Sequence, residues 1–214
     1  MGKKARLDAV VNYARREHDK TLRKKPSLSK PLSYRWGHTL RVVQRGIDLA
    51  KKENADIEEV MVACLLHDIA KLGDLEHGLE HGRLGARKVR PILKEIGYSK
   101  KQIDNICYAI AWHVDGKAGF NYEHTLEADI LNDADKIDRF STYRTMLKLK
   151  SNAKSYRNYL RTVRSQLNVL LKYKQYPPTR TASGTKIFSK QLDLQIAFLE
   201  KVLEDNDLTV LPKF

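Results

Sequence analysis

Imidazole nitrogens and carboxylate oxygens are the side-chain groups that hold divalent transition ions, and this 214-residue chain carries several in a telling order. His38 lies in GHTLRV, the adjacent pair His67 and Asp68 in ACLLHDIAK, and Asp135 in LNDADKID. An ionisable pair placed directly after an apolar helical turn is costly to bury unless a cation or a partner offsets it. Adjacent helix residues point about 100° apart. His67 and Asp68 therefore grip one ion only near the edge of a bundle, with the remaining ligands coming from other helices. His38 and Asp135 are the candidates for that role. Two imidazoles and two carboxylates suit Mn, Fe, Co, Ni or Zn and tolerate Mg.

A lone His, then LLHD, then DAD resembles the HD-domain superfamily of metal-dependent phosphohydrolases, whose four metal ligands occur as H…HD…D. The stretch HGRLGA from His81, the segment AIAWH ending at His113, and TLEADILNDADKID extend the likeness to a branch of small bacterial and archaeal HD hydrolases, some of which act on nucleotides. The likeness is good over about 34–146 and loose beyond. It implies metal binding by His38, His67, Asp68 and Asp135; Asp135 is chosen over Asp133 because the family's last ligand usually precedes a basic and an apolar residue. Asp133 or Asp129 is then left to orient a ligating His by a hydrogen bond.

The resemblance also implies the chemistry. A metal-activated water attacks a phosphate ester or anhydride, with a nucleotide as the expected substrate and Asp68 orienting the water. His81 and His113 match in order the extra histidines of two-metal members, so they either hold a second ion or line the pocket and bind phosphate. Some nucleotidases of the superfamily have Glu three residues after the HD aspartate. Lys71 stands there in this chain and suits a phosphate clamp or charge stabiliser. Arg41, one turn after His38, and Lys136 are further candidates for phosphate contact, whereas His18, His77 and His124 fit no motif and are expected at the surface.

The elements that must position these residues are helical. Apolar residues recur at three-four spacing almost throughout, and no sustained alternation signals a strand. The expectation is an all-α, single-domain helical bundle of the HD type. A basic first helix is predicted over about 5–24, a second from near Tyr34, a third from Asp56 to near Gly73, and others over about 82–96 and 100–114. One long helix is expected from Glu127 to Lys150 or beyond, and C-terminal helices over about 154–205, stopped between by Pro177 and Pro178.

Charge is segregated. The chain has a net charge of +14, with ten Lys or Arg against three acids in residues 1–30, thirteen basic residues and no acid in 139–190, and a net acidic remainder that includes the ligand candidates. Lys150, Lys154, Arg157, Arg161 and Arg164 recur at intervals of four, three, four and three, a basic stripe about 120° from the apolar one. Such asymmetry points to a polyanion, either a phosphorylated substrate or nucleic acid. Cys64 and Cys107 sit apart among apolar residues, as free buried thiols do in a reducing compartment. No apolar run is long enough for a signal sequence or a membrane span, so a cytoplasmic protein is expected. A single-strand nuclease or nucleic-acid phosphodiesterase, and a non-catalytic helical binding module, are the alternative functions.

Overall fold

The computed structural model describes residues 2–24, 26–72, 78–207 and 209. Among them every regular element is an α-helix or a 3-10 turn, so the all-α class holds. None of these helices is long and apolar enough to cross a membrane. The chain forms two compact units, Met1–Asp135 and Lys136–Phe214.

The first unit contains α1 (Lys3–Lys24), α2 (Ser29–Glu53), α3 (Ile57–Leu66), α4 (His81–Ile96), α5 (Lys100–Trp112) and most of α6 (Leu126–Arg139). Its core is α3, which is apolar nearly all round and buries Val60, Val62, Ala63, Cys64, Leu65 and Leu66. A helix with that pattern must be surrounded, and α1, α2 and α5 pack against it, while α4 lies along α5. Arg6 of α1 meets the buried Glu58 of α3 through Nε at 3.2 Å and Nη2 at 3.0 Å, so this carboxylate keeps a charge-assisted partner. Gly46 lets α2 and α3 close up: a Cβ there would lie 2.5 Å from Cys64 Sγ and 3.1 Å from Val60 Cγ1.

Three boundaries depart from the sequence expectation. Helix α2 begins at Ser29 rather than near Tyr34, with Pro31 in its first turn, where the missing N–H has no helical partner to lose. Helix α3 ends at Leu66, well before Gly73, which lies outside the described residues. The chain then tightens into a 3-10 turn, Ile69–Leu72, with Lys71 N–H donating to Asp68 O at 2.9 Å. The helix expected from Glu127 to Lys150 is two helices, because Ser141 starts α7 (Thr142–Asn152) by accepting from Arg144 N–H at 3.3 Å.

The second unit holds the end of α6, α7, α8 (Tyr156–Gln175) and α9 (Ala182–Asp207). Side-chain amides of α9 satisfy the end of α6: Gln191 and Gln195 each donate to Phe140 O at 2.8 Å, and Gln191 also donates to Ile137 O at 2.9 Å. The Phe140 ring packs against Tyr173 and Phe188. Thr181 Oγ1 accepts from Gly184 N–H at the start of α9. The basic stripe is not continuous: Lys150 belongs to α7 and Lys154 to the turn after it, leaving Arg157, Arg161 and Arg164 on α8. These arginines are exposed on the side away from the buried Val163 and Leu170, so they face solvent.

Overpacking the α2–α3 contact tests this account. Gly46→Ala is expected to cost about 1–3 kcal/mol in urea unfolding. In a Cys64→Ala background the same substitution should cost measurably less, since the colliding sulfur is gone; equal costs in both backgrounds would refute the steric explanation.

Candidate metal centre

Six buried side chains from five helices converge in the first unit. His38 comes from α2, His67 is the C-cap of α3 with Asp68 beside it, His81 opens α4, His113 caps α5, and Asp135 comes from α6. Most of them occupy helix ends. The break after Leu66 frees the His67–Asp68 pair from α-helical spacing, so both side chains can turn toward one centre.

The histidines are aimed by the backbone. Nδ1 of His67 lies 2.7 Å from Cys64 O, Nδ1 of His81 lies 2.5 Å from Gly78 O, and Nδ1 of His113 lies 2.6 Å from Ile110 O. A carbonyl oxygen only accepts, so each Nδ1 carries the proton and donates it. Burial pushes all three imidazoles below their usual pKa, His113 to about 3, and they are neutral near pH 7. Each Nε2 therefore presents a lone pair to the centre. His81 Nε2 and His113 Nε2 lie 3.3 Å apart, and His38 Nε2 lies 3.2 Å from His67 Nε2. Two inward lone pairs at 3.3 Å repel each other unless a cation takes both.

Asp68 sits between these pairs. Its Oδ1 is 3.4 Å from His81 Nε2, 3.7 Å from His67 Nε2 and 3.9 Å from His113 Nε2. Lys71 Nζ is 2.8 Å from the same oxygen, yet this buried oxygen accepts no well-directed hydrogen bond. Asp68 Oδ2 receives Arg35 Nη1 at 3.0 Å and is 3.9 Å from His38 Nε2. Burial works against ionisation of Asp68, but His67 and His113, which become protonated in the acid range where a carboxyl titrates, and the Lys71 ammonium outweigh it and hold the carboxyl well below the usual range. Asp135 Oδ1 is 3.3 Å from His38 Nε2. One ligand atom from each of His38, His67 and Asp135 lies within 4.8 Å of the others, and the same is true of His67, Asp68 and His113. This donor set fits divalent ions: three imidazole nitrogens converge on a buried carboxylate oxygen whose one nearby side-chain cation, Lys71, gives it no well-directed hydrogen bond.

The other candidates fall as follows. Asp133 is fully buried and accepts from Asn132 Nδ2 at 3.1 Å. Asp129 does not orient a ligating His; it pairs at 2.9 Å with His124 Nε2, whose Nδ1 is 3.0 Å from Tyr108 Oη. Arg41 folds back along α2, its guanidinium 5.8 Å from the centre of the Tyr34 ring. Lys136 is the first residue of the second unit. His18, expected at the surface, is buried and packs at a tilt against Trp36 with ring centroids 5.3 Å apart, and His77 lies outside the described residues.

Arg35 is the site residue that motif reading passed over. It stands one turn before His38 on α2, and that i, i+3 spacing from a ligand candidate is the signal that was available in the sequence.

Helix α4 reaches the centre only because Gly82 sits against α5: a Cβ there would lie 2.8 Å from Ile110 O and 2.9 Å from Ala111 O. Backbone cannot yield as a side-chain tip does. Gly82→Ala is therefore expected to move His81 off His113 and weaken divalent-ion binding by about 10- to 100-fold in calorimetry. Gly85→Ala, whose Cβ would meet nothing nearer than Ile110 Cγ2 at 3.4 Å, should bind as wild type.

Comparison with known proteins supplies the context. Residues 35–139 match the HD domain family model. Among solved structures, a predicted HD superfamily hydrolase from an uncultured Thermotogales bacterium superposes with a TM-score of 0.64 at 19% identity, covering 93% of this chain and 92% of its own. Bacillus subtilis YpgQ in complex with ADP gives a TM-score of 0.57 at 17% identity, covering 90% of this chain and 96% of its own. No curated protein matches the chain in sequence. The family model spans every converging residue from His38 to Asp135, so residues 35–139 form an HD domain, of a family of metal-dependent hydrolases.

Proposed function

We propose that this protein hydrolyses a phosphate ester or anhydride of a nucleotide, using divalent ions held by His38, His67, Asp68 and Asp135, with His81 and His113 forming a second position that shares Asp68. The observation that carries the reading is the buried Oδ1 of Asp68, with three imidazole nitrogens within 3.9 Å and no well-directed hydrogen bond even from Lys71. A nucleotide is favoured by the structurally similar Bacillus subtilis YpgQ, whose structure holds ADP.

A divalent ion at this centre supplies Lewis acidity, making water nucleophilic near neutral pH and neutralising charge on phosphoryl oxygens. The chain's own groups do the rest. Asp68 stays ionised, so it accepts a hydrogen bond from the attacking water and fixes its approach. Lys71 and Arg35, whose side chains are 26% and 23% exposed beside a nearly enclosed Asp68, present positive charge at the rim of the centre. A phosphoryl group entering there meets two cations already in place, which stabilises the charge that builds on its oxygens. Neutral His67, His81 and His113 do not compete for that role, because burial keeps them unprotonated.

The test pairs metal content with phosphate release over a panel of nucleoside mono-, di- and triphosphates. Asp68→Ala should abolish turnover and lower metal content. Lys71→Ala and Arg35→Ala should keep the metal and lose about 10- to 100-fold in turnover. Wild-type protein that neither retains nor responds to any divalent ion, or an Asp68→Ala variant as active as wild type, would overturn the proposal.

A further inference from the structure

The basic face of α8 is not absorbed by the metal centre. Helix α8 starts where Ser155 Oγ accepts from Asn158 N–H at 3.3 Å, and it buries Val163, Gln166 and Leu170 within the second unit. Arg157, Arg161, Arg164, Asn168 and Lys172 recur at four, three, four and four, a near-straight row along one side, and all five are exposed. From the first to the last the row is about 22 Å long.

Its charge is uncompensated. Elsewhere arginines and lysines find acids: Arg83 meets Glu80 and Asp115, Arg90 meets Asp104, and Lys88 meets Glu17. Arg157, Arg161, Arg164 and Lys172 make no ion pair with any described residue; residues 139–190 contain thirteen Lys or Arg and no acid, and the acid that α9 supplies to α8, Asp193, pairs with Lys174 outside the row. Like charges one turn apart repel, so such a row weakens its own helix by a few tenths of a kcal/mol per pair. An external polyanion turns that repulsion into attraction along the whole row.

We propose that the outer face of α8 docks the phosphate backbone of a single-stranded nucleic acid, without reading base identity. Three of the four cations are arginines, whose planar fork matches a phosphate better than an ammonium does. Tyr156 stands beside the row, about 100° round the helix from Arg157; it is 62% exposed, and its hydroxyl donates to Asn206 Oδ1 at 2.7 Å, which holds the ring in place as a stacking platform next to the first arginine. A membrane surface fits less well. Binding in a bilayer interface needs an exposed apolar face, and the apolar face of α8 is turned into its own unit. The proposal is independent of the hydrolase reading.

Binding of the full-length protein to fluorescent single-stranded oligonucleotides, across a salt titration, is the test. Wild type should bind with an affinity that falls steeply as salt rises. The variant combining Arg157→Gln, Arg161→Gln and Arg164→Gln should lower the slope of log K against log salt by about two, the value for three lost phosphate contacts on a single strand. Tyr156→Ala should weaken binding about ten-fold. A control combining Lys51→Gln, Lys52→Gln and Lys94→Gln removes equal charge from exposed positions of the first unit and should keep the wild-type slope. An equal loss in the control, an unchanged slope in the arginine variant, or binding to anionic phosphatidylserine vesicles but not to oligonucleotides would overturn the proposal.

Discussion

The first unit depends on one electrostatic problem: three neutral imidazoles and an ionised carboxylate are buried together, and they cannot satisfy one another. His67, His81 and His113 spend their protons on backbone carbonyls, so their remaining nitrogens are acceptors facing an acceptor, Asp68 Oδ1. Lys71 and Arg35 temper that negative potential from one side but leave the inner oxygen without a directed hydrogen bond. Buried polar groups in native proteins nearly always have partners. Acceptors that outnumber the donors reaching them are stabilised when a cation joins the set.

The surrounding architecture follows from that requirement. Ligands from five helices can meet at one point only if helix ends, with their freer directions, supply most of them. Close approaches at Gly46 and Gly82 then bring α2 onto α3 and α4 onto α5. The apolar α3 carries the central pair and packs against helices on several sides, so His67 and Asp68 are positioned by the core itself.

Much of this was legible in the sequence. Helical periodicity gave the class and most elements, because amphipathic spacing is a local property. The order His38, His67–Asp68, Asp135 gave the ligand candidates, and His81 and His113 followed from the same pattern. Boundaries were less legible. A capping serine such as Ser141 looks like any other serine until the chain turns there, and the halt of α3 at Leu66 leaves no Gly or Pro as a mark. His18 was misplaced because its burial depends on Trp36 of another helix, and Asp129 because its partner, His124, matched no motif. The spacing of the basic stripe was read as if one helix ran through residues 150–164. The turn at 153–155 moved two of its members elsewhere.

The carbonyl anchors carry a further meaning. Each of the three histidines bonds the oxygen three residues before it, and for His67 and His113 that oxygen belongs to the last turn of the preceding helix, where no backbone N–H would otherwise claim it. The ligand is thus also the plug of its helix end. Inserting or deleting a single residue in α3 or α5 would rotate the ligand by about 100° together with the carbonyl that anchors it, so the pair would turn away from the centre as a unit. Substitutions elsewhere in these helices can be absorbed by repacking, but a change of length cannot. Among descendants of this sequence, α3 and α5 should drift in composition while keeping their residue count up to His67 and His113.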